Sequence, residues 1–311
     1  MKVRIVCSAT SQNFNFSVHQ AFIYDQTEAI KAAHPEVEFS YFFIRNGGLK
    51  GYLNAYFQLR KAIREDPCSM MHAHVALSGF ICSLQFRVPF ICTFHGSDIN
   101  KKFTRRLSAW VAFRSKVNVF VSNKLLSKSY YKKRAVVIPC GVDTEVFHPM
   151  DKTSCRKKLG LNPDGTYLLF SSAFDNPVKN FPLLQEALSL WEGTPPQVLE
   201  LKGISRKDVP VWMNAADVCV LTSFSEGSSQ FLKEALACNR PVISTPVGDA
   251  STLFEQVSNA KITTFAPAAL KQDLLELLKT EASNGRECIS AYDQKMIIQK
   301  IYDLYNAISL F

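Results

Sequence analysis

No uninterrupted apolar stretch in the 311 residues reaches the roughly 18 that a membrane-spanning helix needs. The longest candidate, 80–94, is broken by Arg87 and Pro89. The opening Met1-Lys-Val-Arg-Ile-Val-Cys7 is too short and too charged for a secretory signal and reads as a first strand. Nine cysteines are present, but none forms a Cys-x-x-Cys pair, which argues against a structural zinc site. Most lie in apolar segments, as Cys219 does in Val218-Cys-Val-Leu221, and read as buried thiols in a reducing compartment. No Gly-x-Gly-x-x-Gly follows a strand, which argues against a nicotinamide dehydrogenase. Low-complexity tracts and long repeats are missing too. A hydrophobic content of 47% belongs to a globular chain.

What is present is length for two domains and a repeated strand–helix rhythm. Strands are predicted at 3–7, 37–44, 70–74, 90–93, 117–121 and 135–138, with helices at 18–33, 53–65, 101–113 and 123–130. A second series follows, with strands at 167–172, 198–201, 217–221, 242–244 and 262–264 and closing helices at 270–282 and 292–308. Such alternation predicts doubly wound parallel sheets. Pro139-Cys-Gly-Val-Asp143 and Phe147-His-Pro149 interrupt it, which places a junction between domains 1–149 and 150–291. Charge divides along the same line: the first 149 residues carry a net +11 and the remainder −2. The basic half suits an anionic partner: a membrane surface, a lipid phosphate or nucleic acid.

The chemically richest stretch runs from Ser223 to Gly248. A strand at 217–221 ends in a loop carrying Glu226. Gly227, Ser228 and Ser229 then open a helix, with Leu232, Ala235 and Leu236 at core spacing, and Pro241 ends it. A helix start offers unpaired N–H groups and partial positive charge, which suits a phosphate. Glu226 precedes that anion site. Glu234 lies about 8 Å into the helix at ~1.5 Å per residue. Two acids bracketing a phosphate position fit a sugar on one side and a ribose on the other. A capped helix with two solvated acids is the alternative.

Neighbouring residues extend the pattern: Glu226-Gly-Ser, Lys233-Glu234-Ala-Leu-Ala-Cys, Pro241-Val-Ile-Ser-Thr and Val247-Gly248-Asp249. So do Ile138-Pro-Cys-Gly-Val-Asp143, Arg156-Lys-Lys-Leu-Gly160 and Met213-Asn-Ala-Ala-Asp217. Together they resemble the retaining, nucleotide-sugar-dependent glycosyltransferases of family 4. The resemblance covers most of the chain and implies the GT-B fold: two Rossmann-like domains facing across a cleft, with the last helix, 292–308, packing back on the first. It implies that Glu226 orients sugar hydroxyls, that Glu234 holds the ribose, and that the backbone near Ile204 and Ser205 holds the base. Lys179, in Ser171-Ser-Ala-Phe-Asp-Asn-Pro-Val-Lys179, matches the lysine that grips the donor diphosphate. The arginine that accompanies it in the family has no counterpart near Ala173 or Phe174. Arg206 is the nearest candidate to share its charge.

Thr93-Phe-His95-Gly96-Ser-Asp98 follows a strand, where ligands bind in doubly wound sheets. It resembles the family's first-domain motif, whose histidine reaches the donor sugar; fixing a turn through Asp98 is the alternative. The family's Gly-Gly loop after the first strand is replaced by Ser8-Ala-Thr-Ser-Gln-Asn13. Gln12 and Asn13 there, with Asp98, form the candidate acceptor side. His72-Ala-His74 puts two imidazoles on one strand face. No third metal ligand is evident at suitable spacing, so packing near the cleft is expected, and neither a metal nor an organic cofactor is called for. Residues 101–114 form a basic, aromatic helix that reads either as a membrane-surface element or as a core stripe of Leu107, Trp110 and Phe113.

The expected function is sugar transfer from a nucleotide-diphosphate sugar to a glycan or lipid-linked acceptor in surface polysaccharide biosynthesis. The expected location is the cytoplasm, peripherally on the inner membrane face, without nucleic-acid binding. A non-catalytic sugar-nucleotide-binding protein on the same fold is the competing reading. A sugar-nucleotide epimerase is a weaker one.

Overall fold

A computed structural model describes residues 1–10 and 13–309. The chain forms two compact units, Met1–Gly141 with the segment from Gln294 onward, and Val142–Asp293. In the first, β1 (Lys2–Ser8), β2 (Glu38–Ile44), β3 (Met70–His74), β4 (Phe90–Phe94), β5 (Val117–Phe120) and β6 (Ala135–Val137) build a six-stranded sheet. Its order is β2-β1-β3-β4-β5-β6 and every pairing is parallel. Runs such as Phe-Ile-Cys-Thr-Phe in β4 are buried at every position, because helices cover both faces. Of the two charges in β1, Lys2 lies at its start and Arg4 is buried inside it: the Arg4 guanidinium donates to the carboxylate and carbonyl of Asp66, each at 2.6 Å, and to Ser40 Oγ at 3.1 Å.

The second unit repeats the plan with β7 (Tyr167–Phe170), β8 (Gln197–Glu200), β9 (Val218–Leu221), β10 (Val242–Ser244) and β11 (Ala260–Ile262), ordered β11-β10-β9-β7-β8. In each sheet the second strand pairs on one side of the first and the third on the other. The topological switch points are therefore β1/β3 and β7/β9, where doubly wound sheets bind ligands beyond the carboxyl ends of their strands.

The chain enters and leaves the second unit side by side: the Val142 N–H donates to the Tyr292 carbonyl at 2.9 Å. Phe147 is buried in that unit's core, and Arg286 donates to the carbonyls of Phe147 (2.8 Å) and Thr144 (2.7 Å). Residues 142–149 thus belong to the second unit, and its edge lies before the expected break at Pro149. The Gln294–Ser309 helix lays Ile297, Ile301 and Tyr305 on the first unit's core beside Val3, Ile5 and Met70.

Several elements differ from their expected bounds. The 18–33 helix is divided at Gln20 into Phe16–His19 and Ala21–Ala33, with the Asn15 carboxamide capping the first piece. The strand expected at 262–264 starts at Ala260, because Asn259, at φ 57°, turns the chain into the sheet and accepts from the Val242 N–H. In Lys102–Arg114 the buried residues are Ser108, Val111 and Ala112. Trp110 and Phe113 stay 49% and 57% exposed, so the core stripe of Leu107, Trp110 and Phe113 is not formed. Among the described residues, no helix is long and apolar enough to cross a membrane.

Candidate functional site

In the second unit the site begins with two loops stitched together. After β7, Asn176 caps a 3-10 turn, Pro177–Lys179, by accepting from the Val178 N–H at 3.1 Å. After β9, Thr222 donates its hydroxyl to the carbonyls of Lys179 (2.8 Å) and Asn180 (2.9 Å), and the Phe224 N–H reaches the Val178 carbonyl at 2.9 Å. This stitching brings Lys179 Nζ to 2.7 Å from Glu226 Oε1, and Ser223 Oγ donates to the same oxygen at 2.7 Å. Both sides of the β7/β9 switch point thereby contribute to one charged pair.

Ser229 caps the following helix, Gln230–Ala237, accepting from the Leu232 N–H. Here the helix start is not open as expected. The Asp249 carboxylate accepts from the Ser229 N–H at 3.3 Å and from the Ser228 hydroxyl. A carboxylate on these donors uses the same chemistry as a phosphate oxygen. Gly248 makes the approach feasible. It sits at φ +54°, and a Cβ there would lie 3.1 Å from Glu226 Cβ and 3.2 Å from the Gly227 carbonyl oxygen. The helix itself ends before Pro241: Cys238 caps it and Asn239 turns left-handed at φ 52°.

Two further cations flank this turn. Lys233 is fully buried, and its ammonium donates to Ser228 Oγ at 2.6 Å and Gln230 Oε1 at 3.3 Å, over the Tyr292 ring. Arg206 pairs with the buried Glu234 carboxylate at 2.5 Å and lies over Phe147. The cation expected to replace the missing arginine is thus bound to the ribose-binding candidate. Ser205 donates to Asp208, and Ile204 is half-buried beside it. Sequence reasoning gave no role to Lys233 or Asp249. A lysine inside a helix whose neighbours Phe231, Leu232 and Ala235 are all buried was the available signal, because buried lysines are rare unless paired.

The first unit gathers three histidines at the ends of β3 and β4. His72 Nδ1 is 2.7 Å from Tyr305 Oη, and its Nε2 is 2.7 Å from Thr93 Oγ1. The His72 and His74 rings stack at 4.2 Å, as their shared strand face predicts. His74 Nδ1 lies 3.0 Å from His95 Nε2, and Phe22 covers His95 with ring centroids 4.7 Å apart. Burial lowers the pKa of His72 and of His95 to about 3 each, and it holds His74 well below the usual imidazole range, with the neighbouring imidazoles adding to the effect on His72 and His74. All three rings are neutral at pH 7.

Asp98 does not face an acceptor. It is 3% exposed, and its carboxylate accepts from the N–H groups of Gly96 (2.8 Å), Ala76 (3.3 Å) and His95 (3.4 Å). Burial raises its pKa against these hydrogen bonds. Its task is to tie the loops after β3 and β4 together, because one carboxylate can accept from several converging amides. Asn13 is an exposed turn residue, and Gln12 lies outside the described residues.

Two α/β units of this topology define a GT-B protein, and the comparisons agree. Sucrose-phosphate synthase from Thermosynechococcus elongatus matches with a TM-score of 0.82 at 16% identity, covering 99% of this chain and 98% of that one. Anabaena Alr3699/HepE, solved with UDP and glucose, matches with a TM-score of 0.77 at 17% identity, covering 99% and 100%. Residues 2–146 match the description Glycosyltransferase Family 4, and residues 175–280 match Glycosyl transferases group 1. The chain belongs to family 4 of the glycosyltransferases. The Bacillus subtilis (strain 168) protein TuaC, provisionally named a teichuronic acid biosynthesis glycosyltransferase, is 29% identical over 213 residues, covering 60% of this chain and 55% of its own length. The chain thus spans about half the length of that relative.

Proposed function

We propose that the chain is a retaining glycosyltransferase that moves a sugar from a nucleotide-diphosphate sugar to a glycan or lipid-linked acceptor in surface polysaccharide assembly. The observation that carries this reading is the Lys179–Glu226 pair at the β7/β9 switch point, beside the 227–229 turn. The bound Anabaena neighbour and the name of the Bacillus relative support a nucleotide donor and a surface-glycan setting.

The chemistry asks for two changes at this site. An arriving diphosphate takes the place of the Asp249 carboxylate on the Ser229 N–H and draws Lys179 off Glu226. Glu226 is then released to accept hydrogen bonds from sugar hydroxyls. As the anomeric carbon–oxygen bond breaks, its electrons move onto the departing phosphate. Lys179 and the turn amides stabilise that charge where it develops. The acceptor oxygen bonds the anomeric carbon on the same face, and its proton passes to the leaving phosphate oxygen, so no covalent enzyme intermediate forms. Glu234 orients the ribose, the backbone at Ile204 and Ser205 holds the base, and His95 meets the transferred sugar. The cationic helix Lys102–Arg114, with Phe103, Trp110 and Phe113 exposed, is the surface an anionic membrane would meet.

The test is turnover across uridine-, guanosine- and adenosine-diphosphate sugars, with acceptors presented free in solution and in anionic vesicles. One donor should give a glycosylated product of unchanged anomeric configuration, with one nucleoside diphosphate released per transfer. Binding with neither transfer nor hydrolysis across the panel would favour the non-catalytic reading.

A further inference from the structure

His74 has no part in the chemistry above, yet it is 1% exposed and in hydrogen-bond contact with His95. Its two nitrogens differ. Nδ1 lies 3.0 Å from His95 Nε2, whereas Nε2 is buried with no hydrogen-bond partner among the described residues. Two neutral imidazoles sharing one contact can arrange their protons in only two ways. His74 can carry its proton on Nδ1 and donate to His95, leaving a bare Nε2 lone pair in the interior. Alternatively His95 donates from Nε2, and His74 must then bury an N–H on Nε2 with nothing to accept it. Orphaned buried N–H groups are the rarer and costlier outcome, so the first arrangement is favoured.

We infer that His74 is a positioning residue that holds His95 in the Nδ1–H tautomer, so that His95 presents a hydrogen-bond donor rather than a lone pair to an incoming oxygen. The inference rests on the reading of His95 as the residue that meets the transferred sugar. His95 Nδ1 has no protein partner among the described residues, so its N–H is left for an oxygen acceptor such as a sugar hydroxyl. The tautomer of an imidazole is set by the bond its other nitrogen makes, and here that bond goes to His74.

The surroundings fix the pair in place. His74 is stacked between the rings of His72 at 4.2 Å and His95 at 5.3 Å. The next residue, Val75, adopts φ 65° and ψ 153°, a sparsely populated conformation for a β-branched residue. Gly96, after His95, sits at φ 131°. The Asp98 carboxylate joins both loops through the N–H groups of Ala76, His95 and Gly96. The sparsely populated backbone at Val75 and the positive-φ turn that Gly96 permits fix where the two loops bring the imidazoles together.

The experiment is long-range proton–nitrogen NMR of the 15N-histidine-labelled full chain at pH 7.5, read beside steady-state kinetics. In the wild type, His95 and His74 should both appear as Nδ1–H tautomers. In His74→Phe, His95 should move toward Nε2–H, and kcat should fall roughly 10-fold to 100-fold with donor KM within about twofold. His74→Asn, whose side-chain amide keeps an N–H at the Nδ1 position, should restore both the tautomer and most of the rate. An Nε2–H signal for His95 in the wild type overturns the inference, even where a variant fails to fold. So does an unchanged His95 signal in His74→Phe. A His95→Ala enzyme transferring at the wild-type rate instead removes the reading of His95 itself, whatever the tautomer.

Discussion

Replacing Lys179 with methionine should lower kcat for transfer by roughly 10²–10³-fold, or about 3–4 kcal/mol of transition-state stabilisation. Methionine keeps the apolar stem and removes only the charge. Without ligand, Lys179 is held by Glu226 at 2.7 Å, so the ground state already satisfies it. During transfer its partner becomes a phosphate whose charge increases as the anomeric bond breaks. An interaction that strengthens along the reaction appears in kcat rather than in KM alone. The fold should be little affected. The pair is partly exposed, at 21% and 16%, and such pairs contribute about 1 kcal/mol or less. Rapid-quench kinetics with a thermal melt alongside separates the two effects. A lysine serving only to brace the loop would shift the melt and leave single-turnover rates near wild type.

Acidification should weaken the first unit through His72. Its ring is 1% exposed, between Tyr305 and Thr93, and burial takes its pKa from the ordinary 6.5 to about 3. A lowered folded-state value means that the unfolded chain binds the extra proton. The stability is therefore fully present above pH 6.5 and is lost as pH falls toward 3. At pH 5 the loss from this one ring is about 2 kcal/mol. His74 is displaced in the same direction and adds to it. Urea titrations from pH 7.5 to 5 should show this fall in the wild type, and a shallower one in His72→Gln, whose side chain does not titrate. Equal slopes in the two proteins would exclude His72 as the source.

Much of the fold was legible because parallel strands covered on both faces must be largely apolar, and β4, β7 and β9 read that way. Glu226 and Lys179 were legible for a related reason: each lies in a loop after a strand end, where local spacing fixes the approximate position. What failed depended on distant packing. The Lys102–Arg114 helix turns Val111 inward because Gly79, in the helix Ala76–Ser83, has no side chain. A Cβ on Gly79 would lie 2.5 Å from Val111 Cγ1. That close contact carries Trp110 and Phe113 outward, and no periodicity within 101–114 contains it. Asp249 reaches Ser228 and Ser229 from about twenty residues away, through a left-handed turn at Gly248 whose conformation the sequence does not state. His74 was placed on the correct strand face, but its contact with His95 depends on β3 pairing β4, with His74 opposite Thr93.

The central claim is that a donor diphosphate occupies the turn at 227–229, where the Asp249 carboxylate now sits. Amide NMR of the labelled chain, titrated with uridine, guanosine and adenosine diphosphates, tests it most directly. One of the three should shift the Gly227, Ser228 and Ser229 resonances in a saturable way, with Ser229 moving as its hydrogen bond passes from Asp249 to a phosphate oxygen. Saturable binding that leaves those three amides unmoved while resonances elsewhere shift would contradict the account.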